Sequence, residues 1–201
     1  MKATVLIVPG LRGHVPEHWQ TLLAERLPNA RTVPPLEVDG LNCAARVAAI
    51  EAELAQISGP VILVAHSAGV LMVAHWAARH GRRGGADGAA GAGGSYVAGA
   101  LLVTPPDLNA AWPSNYPQPE VLRAQGWDPL PAGPLPFPSI VCASDNDHLA
   151  SAEAVRDLAR GWGGALLELG EVGHMNPASG YGSWPLAEEL VVEMARMAGL
   201  T

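Results

Sequence analysis

Read from its N-terminus, the chain alternates short apolar runs with longer stretches of helical period. The apolar runs fall at Thr4 to Val8, Arg31 to Val33, Val61 to Ala65, Val97 to Val103, Ser139 to Ala143 and Ala165 to Leu169. Several are dense in Val, Ile and Leu without strict polar alternation, the pattern of strands covered on both faces. Helical stretches lie between them, at Glu17 to Leu27, which Pro28 ends, and at Cys43 to Ile57, which Ser58-Gly59-Pro60 ends. Three more are expected at Ala68 to His80, Ser151 to Gly161 and Trp184 to Ala198. Strand followed by helix, repeated, predicts the α/β class: a mainly parallel sheet with right-handed crossovers and helices on both faces, a three-layer sandwich.

Two segments interrupt this rhythm. Residues 82–95 read RRGGADGAAGAGGS, a composition expected of a flexible Gly-rich surface insertion. It leaves the C-terminal end of a helix and should emerge at the sheet edge away from the site. Residues 104–138 are Pro-rich and carry Trp112, Tyr116 and Trp127, as expected of an irregular excursion rather than a strand or helix. It follows the C-terminal end of a strand, so it overhangs any site built there. Residues 1–201 read as a single domain, with no internal repeat or heptad.

Composition narrows the function classes. A formal net charge of -7 and a pI near 5.4 leave no basic stripe for a phosphate backbone, so nucleic acid is not expected as a partner. The apolar run after Lys2 meets Pro9-Gly10 well short of a signal-peptide core or a membrane span, and the chain reads as cytoplasmic. Cys43 falls in an expected helix and Cys142 in an expected buried strand, which suits reduced thiols. His14, Glu17 and His18 lack a further ligand of suitable spacing, so neither a metal nor a cofactor is expected.

Of the nine serines, only Ser67 has small residues two positions before and two after it, in Ala65-His66-Ser67-Ala68-Gly69. That is the G-x-S-x-G elbow with alanine in the first place. Its serine sits on a sharp, strained strand-to-helix turn where a bulky neighbour would collide. The run before Ser67 is β-rich and the run after it helical, as the elbow requires. An acid and a histidine should then follow in that order, each past a strand's C-terminal end. Asp145 and Asp147 follow the fifth expected strand, and His174 follows the sixth. Serine is a poor nucleophile until an imidazole takes its proton, and a buried carboxylate fixes that imidazole's tautomer. Backbone N–H groups of Leu11 and Ala68 are the expected oxyanion donors. His66 is expected to point away from the nucleophile, His75 and His80 to fill surface or satisfied polar roles, and His148 to face solvent.

VPGLRGHVPEHWQ, LVAHSAG, Thr104-Pro105-Pro106-Asp107, ASDND and VGHMN occur in order across almost the whole chain. Together they resemble the retinoblastoma-binding-protein-type, YdeN-like group of small serine hydrolases, a compact branch of the α/β-hydrolases. The resemblance implies a six-stranded sheet of order 2-1-3-4-5-6 and a triad of Ser67, Asp147 and His174. It places the acid at the second aspartate of S-D-N-D. Position favours Asp147 as well, because it lies further past the strand than Asp145. The 82–95 insertion is the main departure from the pattern. The function expected is hydrolysis of a carboxylic ester or related acyl bond of a small-molecule substrate through an acyl-serine intermediate. Thioesters, lactones and small peptides are further candidates. Trp112, Tyr116 and Trp127 are candidate pocket residues, and so small a chain suggests short or medium acyl groups. The alternative is a non-catalytic binding or scaffold protein that retains the fold.

Overall fold

A computed structural model describes residues 3–81 and 94–200. Strands β1 (Thr4–Val8), β2 (Ala30–Thr32), β3 (Gly59–His66), β4 (Ser95–Val103), β5 (Ser139–Ala143) and β6 (Ala165–Glu168) form one sheet of order 2-1-3-4-5-6. Every pairing is parallel. All six strands therefore end at the same edge, and the loops that follow them converge there. Most of the 82–95 insertion lies outside the described residues.

The four central strands, β1, β3, β4 and β5, send alternate residues into two different cores. In β3, Val61, Leu63 and Ala65 pack with α2 (Cys43–Leu54), α3 (Ala68–His80) and α5 (Ala152–Trp162), whereas Ile62 and Val64 pack with α1 (Trp19–Arg26) and α6 (Pro185–Met197). Both faces are apolar, which is why the sequence shows runs of Val, Ile and Leu where a half-buried strand would alternate.

Helix ends follow local chemistry. α1 begins two residues later than the periodicity suggests because His18 is its N-cap, its Nδ1 accepting the Gln20 N–H at 3.2 Å. α2 stops at Leu54 instead of reaching Ile57, since Gln56 and Ile57 donate three residues back, to Glu53 and Leu54, and close a tight turn. Ile57 is nevertheless buried against the core. Asn42 and Ser151 cap α2 and α5, accepting from Ala45 and Ala154.

The 104–138 excursion is not wholly irregular, which corrects the expectation. It holds a helical turn, α4 (Pro119–Leu122), continued by one wider turn over Arg123–Trp127 that Gly126 ends at φ 87°. Among the described residues no helix is long and apolar enough to cross a membrane. Cys43 and Cys142 are free and buried, and burial pushes the Cys142 thiol up to about 12.

Candidate active site

Strand β3 runs into helix α3 with a single residue, Ser67, between them. Its backbone sits at φ 57° and ψ -132°, a conformation that costs a non-glycine residue about 1–3 kcal/mol. The surroundings enforce it. The Ser67 N–H donates to the Val103 carbonyl at 3.0 Å, continuing the β3–β4 ladder one step beyond the strand. On the helix side, Gly69 lies so close to the end of β1 that an added Cβ would meet the Val8 carbonyl oxygen at 2.3 Å and the Pro9 oxygen at 2.8 Å. The small residue after the nucleophile is thus required by the neighbouring strand. A Cβ on Gly10 would stand 3.2 Å from the Ser67 Cβ, so that glycine lets the β1 loop reach the nucleophile. Although Ser67 occupies the N-cap position of α3, its side chain makes no capping bond.

The hydroxyl is engaged elsewhere: Ser67 Oγ lies 2.8 Å from His174 Nε2. His174 Nδ1 lies 2.8 Å from Asp147 Oδ2, with both side chains almost fully buried. If Ser67 donates to Nε2, the imidazole proton sits on Nδ1 and points at the carboxylate. The other Asp147 oxygen, Oδ1, accepts the Leu149 N–H at 2.9 Å. Asp145 is exposed, and its backbone N–H donates to the Gly170 carbonyl at 2.9 Å.

Several residues that hold this arrangement carry no sequence signal of their own. Asn146 Oδ1 accepts the Gly173 N–H at 2.6 Å, tying the loop of the acid to the loop of the histidine. Ser179 Oγ accepts the His174 N–H at 3.1 Å. His66, expected to point away, is buried, with Nε2 donating to the His174 carbonyl at 2.8 Å and its ring 5.0 Å from the His174 ring. The His18 ring lies 4.6 Å beyond it. Burial, with the neighbouring His174, lowers the His18 pKa to about 4 and holds His66 well below its ordinary value. His148 is exposed, yet its Nε2 contacts the Tyr116 hydroxyl at 3.0 Å and its ring lies 5.7 Å from that of His174. His75 is buried and bonded to the Trp127 carbonyl. Among the described residues no group of three His, Cys, Asp or Glu is placed to hold a metal.

Beside Ser67 opens a cavity of about 270 Å³. Leu11, Trp112, Tyr116, Leu149 and His174 are on its wall. Trp112 is fixed by its indole N–H, which donates to the Asp107 carbonyl at 2.8 Å. Trp127 is not on that wall, which corrects its expected place. It is fully buried, its indole N–H donates to the Leu41 carbonyl at 2.7 Å, and its ring packs edge-on to His75. A hydrophobic core offered more apolar contact than the cavity rim. The Gly10 carbonyl accepts the Gly13 N–H at 3.1 Å. Because a trans peptide sets N–H opposite C=O, the Leu11 N–H points away from that turn. Buried Arg46 steadies the loop by donating to the carbonyls of Gly40 and Leu11. The Ala68 N–H opens α3 and has no acceptor within the helix.

The serine hydrolase family profile matches residues 5–193. The chain belongs to that family. No curated protein matches the sequence. A protein of Pectobacterium atrosepticum classed as a YdeN-like hydrolase is similar in structure, at 28% identity and TM-score 0.76 over 98% of this chain and 92% of that one. The ydeN gene product of B. subtilis is similar at 20% identity and TM-score 0.70, over 96% and 98%. Est1E of Butyrivibrio proteoclasticus, solved with ferulic acid, shares the fold at 12% identity and TM-score 0.66, over 96% and 90%. The sheet is that of the α/β-hydrolases, and the chain is a small YdeN-like serine hydrolase within them.

Proposed function

We propose that the chain hydrolyses a carboxylic ester or related acyl bond through an acyl-serine intermediate, with Ser67, His174 and Asp147 as its triad. The observation that carries this reading is the continuous relay from Asp147 Oδ2 through the imidazole to Ser67 Oγ, two contacts of 2.8 Å each, ending at a cavity. Ser67 Oγ attacks the acyl carbon as its proton passes to His174 Nε2. Negative charge developing on the carbonyl oxygen is received by the N–H groups of Leu11 and Ala68. The imidazolium, stabilised by Asp147, returns the proton to the leaving alcohol as the acyl–oxygen bond breaks. Water then attacks the acyl-serine with His174 again as base, and the acid departs.

The cavity volume suits short or medium acyl groups, with Trp112 and Tyr116 as its aromatic walls. The reading is tested by fluorophosphonate labelling and by turnover of short p-nitrophenyl esters. Wild type should label at Ser67 and turn over esters. Ser67→Ala should not label, and its kcat should fall on the order of 10⁴- to 10⁶-fold. A folded Ser67→Ala protein that keeps most of its activity would refute the assignment. Faster turnover of aggregated long-chain esters than of soluble short ones would refute the acyl preference.

A further inference from the structure

The cavity beside Ser67 carries one permanently charged side chain. Among the described residues, Arg12 is the sole Arg, Lys, Asp or Glu on its wall, although the chain as a whole has a net charge of -7. Six other described arginines pair with carboxylates: Arg26 with Glu188, Arg31 with Glu53, Arg123 with Glu120, Arg156 with Glu168, Arg160 with Asp157 and Arg196 with Glu193. Arg46 is bonded to two backbone carbonyls. Arg12 is exposed and, among the described residues, takes part in no ion pair.

Its position is nonetheless defined. The guanidinium carbon lies 5.2 Å from the centroid of the Tyr116 ring. Tyr116 is itself held by its hydroxyl contact with His148 Nε2 at 3.0 Å, and its ring stands edge-on to His174 with centroids 6.4 Å apart. One aromatic ring therefore separates the guanidinium from the imidazole. Contact with a ring occupies none of the five N–H donors of arginine in a conventional bond, and their planar fork matches a carboxylate. Arg12 also directly follows Leu11, whose N–H faces the reacting carbonyl in the proposed mechanism.

We propose that the substrate is anionic: an ester bearing a carboxylate that pairs with Arg12 at the cavity rim. This rests on the acyl-hydrolase reading and names its substrate class. Hydrolysis needs only water as co-reactant. Its oxygen joins the acyl carbon, the ester C–O bond breaks and the alcohol oxygen takes a proton. With the carboxylate on the acyl side, a dicarboxylic half-ester yields a dicarboxylate and an alcohol. With it on the alcohol side, a neutral acyl group is released from a hydroxy acid.

The two sources are distinguished by comparing p-nitrophenyl butyrate with p-nitrophenyl hemiglutarate and with 4-(butyryloxy)benzoate, in wild type, Arg12→Gln and Arg12→Lys. The expected result is that Arg12→Gln lowers the anionic-to-neutral ratio of kcat/KM at least about tenfold in one of the two arms. Arg12→Lys should restore part of it, and added salt should reduce the wild-type ratio. A ratio that Arg12→Gln leaves unmoved in both arms overturns the proposal. A second measurement needs no turnover: binding of glutarate and of 4-hydroxybenzoate to Ser67→Ala, by calorimetry, with and without Arg12→Gln. Loss of binding on removing Arg12 supports the anion site even if no ester is hydrolysed, an outcome that would sink the hydrolase reading alone. Binding of neither anion, or equal binding by both proteins, overturns it.

Discussion

Asp147 divides its carboxylate between two tasks, Oδ1 fixing the loop through the Leu149 N–H and Oδ2 facing His174 Nδ1. This division predicts what asparagine does there. If the amide oxygen keeps the Leu149 bond, the amide NH₂ faces Nδ1 and forces it to accept. The ring proton then moves to Nε2, where it opposes Ser67 and cannot be replaced by the serine proton. Asp147→Asn should lower kcat by roughly 10³- to 10⁴-fold with the fold intact. Asp145→Asn, at an exposed position, should cost less than about tenfold. Steady-state rates on a short p-nitrophenyl ester, beside urea midpoints for both variants, check this; a reversed order makes Asp145 the acid. Ser67, Asp147 and His174 were legible because each follows a strand end, a property of the chain's order. Asn146, Ser179 and His66 were not. Their roles are bonds to backbone groups of the His174 loop, and residue type says nothing about a partner chosen only when two distant loops meet. Trp127 misled for a related reason: an aromatic in a Pro-rich stretch reads the same whether it lines a cavity or fills a core.

At the scale of elements, the elbow works because α3 starts hard against the end of β1. A Cβ at Gly69 would fall 2.3 Å from the Val8 carbonyl oxygen, inside the contact limit of rigid backbone. Gly69→Ala should therefore push the Val8–Pro9 backbone aside and cost on the order of 1–3 kcal/mol. Since Leu11 lies two residues beyond Pro9, fluorophosphonate labelling should slow as well. Gly161, inside α5 with nothing within 4 Å of an added Cβ, is the control. Gly161→Ala should gain up to about 1 kcal/mol by restricting the unfolded chain and leave labelling untouched. Equal urea midpoints for the two variants would show that the elbow is looser than its geometry. Helix existence and order were readable from period, but helix ends were set by particular bonds. His18 delayed α1 by capping it, and tight turning at Gln56 and Ile57 shortened α2.

For the molecule as a whole, parallel strands place every chemically significant loop at one edge, and the two apolar cores that make this possible wrote themselves into the sequence as unalternating runs. That burial also encloses titratable rings, and it couples stability to pH. His18 is held at a pKa of about 4, chiefly by burial and secondarily by the nearby His174, against about 6.5 in an unfolded chain. Its Nδ1 accepts the Gln20 N–H, a bond that protonation at Nδ1 would abolish. Because the folded state holds the proton more weakly, the unfolded state gains protons first as pH falls. Stability from neutral His18 is thus complete above about pH 6.5 and is lost progressively down to about pH 4. Between pH 7 and pH 5 this amounts to about 2 kcal/mol. Buried His66, lowered in the same direction, adds to the slope. His18→Asn keeps a capping oxygen but cannot titrate, so its fall in unfolding free energy between those two pH values should be smaller than that of wild type by about 1–2 kcal/mol. Urea titrations of both proteins at pH 7 and pH 5 measure that difference directly. Equal losses would mean that His18 takes up its proton in the folded state near its ordinary pKa, and that the row of imidazoles behind His174 is open to water.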